Sequence, residues 1–306
     1  MELNKVYNMD CIELMKTLPS GCIDLIIADP PYYKAINEKW DKQWETEEDY
    51  LKWTQKWFDE CVRILKDTGI FYCYGNFDIL SKQKVLIFDK QLNFRQNITL
   101  SKGLRSIAGR TSDKLRMFPT ASEYLLYYTK QGQDLVILNQ RDYLLKEFKK
   151  SGLKIKDIKK LCGFTGNQPY NWFSPNNKGN GTWQLPTKEH YLKLQTTGYW
   201  QKSYEELKNE FDNKRYTFNI PIGVTDVWDF VPDKVRYGHK TQKPKDITDR
   251  IIKASSNKGQ TVYIPFAGSG SEIVSCIENN RNYIATETNK DYIDNIINKR
   301  IEEIKM

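Results

Sequence analysis

Cysteine and histidine are scarce in this sequence of 306 residues, and long apolar runs are absent. The six cysteines are scattered without a Cys-x-x-Cys pair, and only two histidines accompany them. This pattern argues against a disulfide scaffold and a structural zinc module, so we expect no metal site. No stretch approaches the roughly 20 apolar residues of a membrane span, and no signal peptide is visible at the N-terminus. We therefore expect a cytoplasmic protein that does not contact a membrane.

The positive charge of the chain is concentrated in two segments. The net charge is +8, and residues 81–120 and 141–220 each carry a net charge of +7. Such blocks are typical of a surface that binds a polyanion, although solvated lysine-rich faces would have the same composition. Aromatic residues reach 13% and fit either base stacking or a large aromatic core.

Strand and helix patterns alternate at both ends of the chain, which predicts one α/β sheet built from both ends. The pattern predicts strands at Cys22–Ala28, Ile70–Tyr74, Phe94–Ser101, Glu123–Thr129, Thr261–Ile264 and Tyr283–Thr286. It predicts helices at Thr46–Lys66, Phe77–Lys90, Lys245–Ser256, Glu272–Asn279 and Lys290–Ile304. The middle of the chain does not alternate in this way. We therefore predict a catalytic domain at 1–140 and 226–306 and a separate module at 141–225.

The first motif directly follows the predicted strand Cys22–Ala28, where open α/β sheets place their ligands. It consists of Asp29, Pro30, Pro31 and Tyr32. A carboxylate beside a rigid proline carbonyl accepts two hydrogen bonds from one planar amino group, and the tyrosine offers a ring for stacking. The motif therefore suits an exocyclic amine on an aromatic base, although a proline-rich turn alone would look similar.

The second motif is the glycine loop Phe266–Ser271, between the strand Thr261–Ile264 and the following helix. Glycines allow a cofactor to approach the backbone, and the start of the helix offers free amide groups. Glu287 stands at the end of the next strand, where an acidic side chain accepts hydrogen bonds from ribose hydroxyls. The combination predicts a nucleotide-type cofactor site.

Together these residues resemble the amino-methyltransferases that modify DNA bases with S-adenosylmethionine. Asp29–Tyr32 resembles their DPPY motif and Phe266–Ser271 their FxGxG loop, and the order of the motifs resembles the β group. His239–Pro244 and Asn8–Cys11 resemble two further segments of that family. The resemblance implies a Rossmann-like, mostly parallel sheet with helices on both faces and circularly permuted motif order, plus a smaller mixed or helical target-recognition module. It implies S-adenosylmethionine as cofactor, bound by Asp10, Cys11, Asp29, Thr241, Lys243, Phe266, Gly268, Ser269, Gly270 and Glu287.

One departure from the family pattern concerns the cofactor. The family usually has an aspartate before the Pro-Phe of the loop, and this chain has Ile264. The change removes a carboxylate near the methionine end of the cofactor, so we expect weaker cofactor binding unless Asp10 or Asp29 takes that role.

The resemblance implies methylation of a base amine. Asp29 and the Pro30 carbonyl would orient the amine, and Tyr32 would stack on the base after it is flipped out of the duplex. The basic loop 102–116 is expected to contact phosphates through Lys102, Arg105, Arg110, Lys114 and Arg116. Residues 151–173 resemble a helix-turn-helix, in which Asn167 and Gln168 would read base edges. A packed helical pair without base contacts is the alternative.

Three alternative functions remain open. A cytosine-N4 methyltransferase uses the same geometry but more often has serine in place of Asp29, which favours adenine-N6. A glutamine-side-chain methyltransferase has an NPPY motif and the opposite motif order. A DNA-binding regulator without catalysis would explain Ile264. The expected partners are double-stranded DNA and, as a candidate, a cognate restriction endonuclease, and the expected protein is a monomer or homodimer associated with the nucleoid.

Overall fold

The computed structural model divides the chain into two compact units, residues 1–130 with 217–306 and residues 131–216. The residues that it describes are 2–35, 41–103, 116–130, 133–166, 168–173, 185–214, 216–219, 223–230, 233, 235, 237–239 and 241–305. None of the helices in these residues is long and apolar enough to cross a membrane.

The described part of the first unit contains one open sheet of eight strands. The strands are β1 Lys5–Tyr7, β2 Ile23–Ala28, β3 Leu65–Gly75, β4 Asn93–Ser101, β5 Ser122–Thr129, β6 Val227–Asp229, β7 Thr261–Ile264 and β8 Asn282–Thr286. Their order in the sheet is β1-β8-β7-β2-β3-β5-β4-β6. Every pairing is parallel except those of β5, which runs against β3 and β4. The predicted mostly parallel α/β fold is confirmed.

The helices of the first unit connect these strands. They are α1 Cys11–Thr17, α2 Glu47–Ile64, α3 Phe77–Leu86, α9 Lys245–Ser255, α10 Ser271–Glu278, α11 Lys290–Tyr292 and α12 Asn298–Lys305. The second unit contains α4 Gln133–Ser151, α5 Ile155–Cys162, α6 Gln168–Phe173, α7 Lys188–Gln195 and α8 Tyr204–Lys214. A π-helical segment, Ile293–Ile297, joins α11 to α12.

The helix α2 follows the physical signals that predicted it. Thr46 accepts a hydrogen bond from the Asp49 backbone N–H at 3.1 Å, and its hydroxyl donates to the Asp49 carboxylate at 2.6 Å. This capping satisfies a free amide at the helix start. The C-terminal end differs from the prediction, because α2 ends at Ile64 and the chain enters β3 at once. Gly69 therefore lies inside a strand and does not stop the helix.

Helices cover both faces of the sheet, as predicted. On one face, Met15 of α1 and Trp57 of α2 pack with Phe71 and Tyr263 in a single hydrophobic cluster. Because side chains alternate along a strand, the neighbour of Phe71 points to the other face. There the Tyr72 hydroxyl lies 2.8 Å from the Ser255 hydroxyl of α9. The strands are therefore buried on both sides, which explains their continuous apolar sequence.

The ends of the parallel strands create a common edge, here called the carboxyl edge. The strands β1, β8, β7, β2 and β3 all run in one direction and finish at this edge. The antiparallel strand β5 begins there instead, so its first residues meet the ends of its neighbours. Segments that are distant in sequence are thus brought together where α/β proteins bind ligands.

The second unit has its own aromatic core. Leu144, Ile158, Tyr191 and Trp200 are fully buried within one cluster that also contains Trp172 and Phe173. In the segment with helix-turn-helix character, α5 ends at Cys162 and is capped by Gly163, whose φ of 78° is a left-handed conformation that suits glycine. The helix α6 follows after the turn. A DNA-reading role for this pair of helices remains a prediction.

Candidate active site

A cavity of about 1160 Å³ lies at the carboxyl edge, within the first unit. The two sequence motifs line it from neighbouring strands, since Asp29–Tyr32 follows β2 and the glycine loop follows β7. The predicted residues that also line it are Asp10, Cys11, Lys102, Thr241, Lys243, Phe266, Gly268, Ser269 and Glu287. Gly270 directly precedes α10 as its N-cap residue. The structure therefore brings the predicted catalytic and cofactor residues together.

Lys243 holds the turn that contains Asp29. The Tyr32 hydroxyl donates to Asp29 Oδ1 at 2.7 Å and accepts from Lys243 Nζ at 2.8 Å. Lys243 Nζ also lies 3.1 Å from Asp29 Oδ1. Charge-assisted hydrogen bonds of this kind are stronger than neutral ones, so the carboxylate has a defined orientation. Lys243, which the sequence assigned to the cofactor, contacts the turn that contains Asp29 and Tyr32.

A second set of contacts holds the Pro31 carbonyl. The Tyr50 hydroxyl of α2 donates to the Pro31 carbonyl at 2.6 Å. Gln83 of α3 donates in turn to the Tyr50 hydroxyl at 3.0 Å. The turn is thereby anchored to two helices, in addition to the rigidity that the prolines themselves confer.

Glu123, at the start of β5, joins this network of charges. Its carboxylate lies 3.4 Å from Lys243 Nζ, and it forms a second ion pair with Lys102. Burial alone would raise the pKa of Glu123, but Lys243 and Lys102 lower that pKa to about 2. Burial likewise opposes the charge of Lys243, yet Asp29 and Glu123 raise the pKa of its ammonium group above the ordinary value. Both groups are therefore charged at neutral pH.

The glycine loop has a backbone that only glycine adopts without strain. Gly268 has φ at 51°, and a Cβ atom built there would lie 3.2 Å from His239 Nε2. Gly270 has φ at 73° and a similar close approach to Ile297. A side chain at either position would be strained and would crowd the loop.

Glu287 supports the glycine loop through the backbone. Its two carboxylate oxygens accept from the N–H groups of Gly268 and Asn289, each at 2.8 Å. Burial raises the pKa of the Glu287 carboxyl above its ordinary value, and these backbone hydrogen bonds only partly offset that effect. A carboxylate has about four lone-pair sites, so two accepted bonds leave capacity for ribose hydroxyls.

Three other predicted cofactor residues have structural roles. Asp10 caps α1 by accepting from the Ile12 N–H at 2.8 Å. Cys11 is 3% exposed, and burial raises the pKa of its thiol. The Phe266 ring packs against Trp53 and Trp57, with ring centroids 5.7 and 5.5 Å away.

The residues predicted to bind DNA are only partly covered by the structure. Lys102 lines the cavity and pairs with Glu123, and Arg116 is exposed. Arg105, Arg110, Lys114 and Asn167 lie outside the described residues, as does the side chain of Gln168. Within the described chain, no cluster of three or more histidine, cysteine or carboxylate side chains has the arrangement of a metal site.

Four acidic residues that line the cavity were not among the residues predicted from the sequence, namely Asp41, Asp78, Glu123 and Glu272. Glu123 is the only charged residue of β5, and Glu272 follows the glycine loop as the second residue of α10. Glu272 is 4% exposed, and burial raises its pKa to about 7, with the nearby Asp29 contributing in the same direction. The sequence signal that could have identified Glu272 is its position directly after the glycine loop.

Residues 23–299 match the DNA methylase family of N6 and N4 methyltransferases, and the chain belongs to that family. The protein is therefore a DNA methyltransferase of the N6/N4 type, consistent with its fold and with the cavity at the carboxyl edge.

Individual relatives agree with this assignment. The type II methyltransferase M.HinfI of Haemophilus influenzae is 27% identical over 99% of this chain and 69% of its own length. The DNA adenine methyltransferase YhdJ of Escherichia coli K12 is 25% identical over 95% of this chain and 81% of its own length. The structure of TTHA0409 from Thermus thermophilus, complexed with S-adenosyl-L-methionine, has a TM-score of 0.56 at 14% identity. That match covers 98% of this chain and 94% of the other, and it shows a shared fold.

Proposed function

We propose that the protein transfers a methyl group from S-adenosylmethionine to the exocyclic N6 amine of a flipped-out adenine at a specific site in double-stranded DNA. The observation that carries this proposal is the position of Asp29. Its carboxylate lies in the cavity, is oriented by Tyr32 and Lys243, and shares that cavity with the glycine loop.

The residues of the glycine loop fit the cofactor. Gly268 lines the cavity without a side chain, and Glu287 beside it has the chemistry to accept hydrogen bonds from ribose hydroxyls. The complex of TTHA0409 with S-adenosyl-L-methionine, on the same fold, supports this choice of cofactor. When bound, the cofactor supplies an electrophilic methyl group on a sulfonium.

The protein contributes mainly orientation and electrostatics. The lone pair of an aromatic amine is delocalised into the ring, so the amine is a weak nucleophile. Acceptors at Asp29 and the Pro30 carbonyl orient the amino protons and localise the lone pair, which lowers the barrier by several kcal/mol. Tyr32 stacks on the base after flipping, a step that costs a few kcal/mol.

Two observations favour adenine over cytosine. Asp29 stands where cytosine-N4 enzymes more often have serine, and YhdJ is a DNA adenine methyltransferase. The family nevertheless contains both chemistries, so cytosine-N4 methylation is the alternative product. A regulator without catalysis is the other alternative, motivated by Ile264.

The methylated base can be identified directly. We expect N6-methyladenine at one recurring sequence in DNA from a methylation-free host that expresses the protein, measured by long-read sequencing. A host expressing the Asp29→Ala variant is the matched control. N4-methylcytosine at the site would support the alternative enzyme, and unmodified DNA would support the regulator.

The roles proposed for the two basic segments predict different kinds of mutational effect. Removing the charges of Arg105 and Arg110 should weaken binding to every duplex and lower the salt slope by about one unit for each lost phosphate contact. Substituting Asn167 or Gln168 should reduce preference for the cognate site by roughly 1–3 kcal/mol for each lost bidentate contact. Binding curves on cognate and scrambled duplexes at several salt concentrations distinguish these effects.

Equal losses on both duplexes for the Asn167 and Gln168 variants would contradict base reading by 151–173.

We also propose, from the resemblance to DNA methyltransferases, that residues 141–225 select the target sequence. We further propose that the protein acts on nucleoid DNA as a monomer or homodimer and that a restriction endonuclease is its partner.

A further inference from the structure

Glu272 is a buried carboxyl group that the proposed chemistry leaves unused. It lines the cavity from the first turn of α10, directly after the glycine loop. Its side chain is 4% exposed, and its Oε1 atom is buried without a hydrogen-bond partner among the described residues. A buried polar atom without a partner is costly, which points to a ligand group that completes the site.

The cations around Glu272 are already engaged elsewhere. Lys243 pairs with Asp29 and Glu123, and its ammonium also donates to Tyr32. Arg300 of α12 donates from Nη1 to the Ser269 carbonyl at 2.7 Å and lies 3.1 Å from a serine hydroxyl. Glu272 is thus a carboxyl group in the cavity without a charge partner of its own in the part of the chain that the structure describes.

The strand beside the glycine loop supplies no carboxylate. The strand β7 ends at Ile264, which is 1% exposed and apolar. The side chain of Tyr263 packs on the face covered by α1 and α2, so Ile264 faces the side covered by α9 and α10. The helix α10 then contributes Glu272 to the cavity that the glycine loop and Asp29 also line.

We propose that Glu272 binds the α-ammonium group of the methionine half of S-adenosylmethionine. This inference rests on the proposed function. The ribose end of the cofactor is assigned to the glycine loop and Glu287, and the methyl group must reach the amine held by Asp29. The methionine half therefore lies in the part of the cavity that Glu272 lines. Its ammonium group would give Oε1 a charged donor, the strongest type of hydrogen-bond partner for a carboxylate.

The test compares ligands that share the adenosine part. S-adenosylmethionine and S-adenosylhomocysteine both carry the α-ammonium, whereas 5′-methylthioadenosine lacks the amino-acid part. We expect Glu272→Gln to weaken binding of the first two at least about tenfold, as loss of a charged hydrogen bond should do. The affinity for 5′-methylthioadenosine should change less than about twofold, well below the tenfold change that loss of a charged contact predicts. Retained binding of this ligand also shows that the variant is folded. Isothermal titration calorimetry on the full chain gives all three affinities.

Two further variants sharpen the comparison. Glu278→Gln is the matched control, because Glu278 lies in the same helix and pairs with Lys245; we expect unchanged affinities. Glu272→Asp keeps the charge with a shorter side chain and should recover part of the lost affinity. A second readout is proton release, since the wild-type carboxyl has a pKa of about 7 and would ionise as the ammonium binds.

Titration near neutral pH in two buffers of different ionisation enthalpy measures this release. Wild type should release more protons than Glu272→Gln. The other titratable or charged groups near this carboxyl are Asp29, Lys243, Arg300, Tyr74 and Cys276. Because both proteins contain these groups, the difference in proton release between wild type and Glu272→Gln isolates the contribution of Glu272.

The outcomes separate this inference from the function on which it rests. A wild-type protein that binds none of the three ligands contradicts the proposed cofactor. If wild type binds and Glu272→Gln binds S-adenosylmethionine equally well, the role of Glu272 is wrong. A loss for S-adenosylmethionine without a loss for S-adenosylhomocysteine would place Glu272 at the sulfonium and overturn the assignment to the ammonium.

Discussion

Replacing Asp29 with alanine should lower the rate of methyl transfer about a hundredfold and leave DNA affinity nearly unchanged. A lost hydrogen bond to a charged acceptor costs about 1.5–3 kcal/mol, and the upper value corresponds to this factor. Asp29 also orients Tyr32 and Lys243, so its removal disturbs the ring that would stack on the base. Binding to phosphates does not involve this carboxylate, and DNA affinity is therefore expected to persist.

Single-turnover kinetics with saturating cofactor measure the chemical step, and fluorescence anisotropy measures DNA affinity. Asp67→Ala is the matched control, because the Asp67 side chain is 93% exposed and its carboxylate lies 3.8 Å from Lys130 Nζ in a surface ion pair. Asp29→Asn retains the shape and one acceptor oxygen and should fall between wild type and alanine. A rate within tenfold of wild type for Asp29→Ala would remove Asp29 from the mechanism.

Much of the first unit could be predicted because its signals are local. The strand β7 has the predicted bounds, since a short β-branched run stands between a turn and a glycine loop. The helix α2 was recognisable from its capping residues and apolar periodicity. By contrast, β1 and α1 were missed, because a strand of three residues and a helix of seven carry little pattern.

The cavity could be anticipated in outline but not in its charges. Two motifs that each follow a parallel strand must meet at the carboxyl edge, so their convergence followed from the order of strands and helices. The contact of Lys243 with Asp29 depends on the path of a loop between distant segments, which no local pattern specifies. Glu123 and Glu272 were missed for the same reason, since burial beside other charges arises only in the folded chain.

Lys243→Met should be the most destabilising single substitution in this network. Lys243 is 6% exposed and lies between the carboxylates of Asp29 and Glu123. Methionine preserves the apolar stem but leaves two largely buried carboxylates without their shared cation. Breaking a buried ion pair in this way costs about 3–5 kcal/mol. Lys245→Met is the matched control, because the Lys245 side chain is 38% exposed and its pairs should contribute about 1 kcal/mol or less.

The pH dependence of this loss shows whether electrostatics cause it. In the folded protein the pKa of Glu123 is about 2, below its ordinary value of 4.5, so pairing stabilises the fold above pH 4.5. That contribution disappears as the pH falls from 4.5 through 2, because Glu123 must then be protonated in the folded state. In Lys243→Met the Glu123 carboxyl is easier to protonate, so the difference in unfolding free energy from wild type should shrink as the pH falls from about 7 to about 3. Urea denaturation at both pH values, with Lys243→Met/Glu123→Gln as a partial rescue, measures this effect. A loss that is equal at both pH values, or no larger than that of Lys245→Met, would mean that Lys243 stabilises the fold by packing and not by its charge.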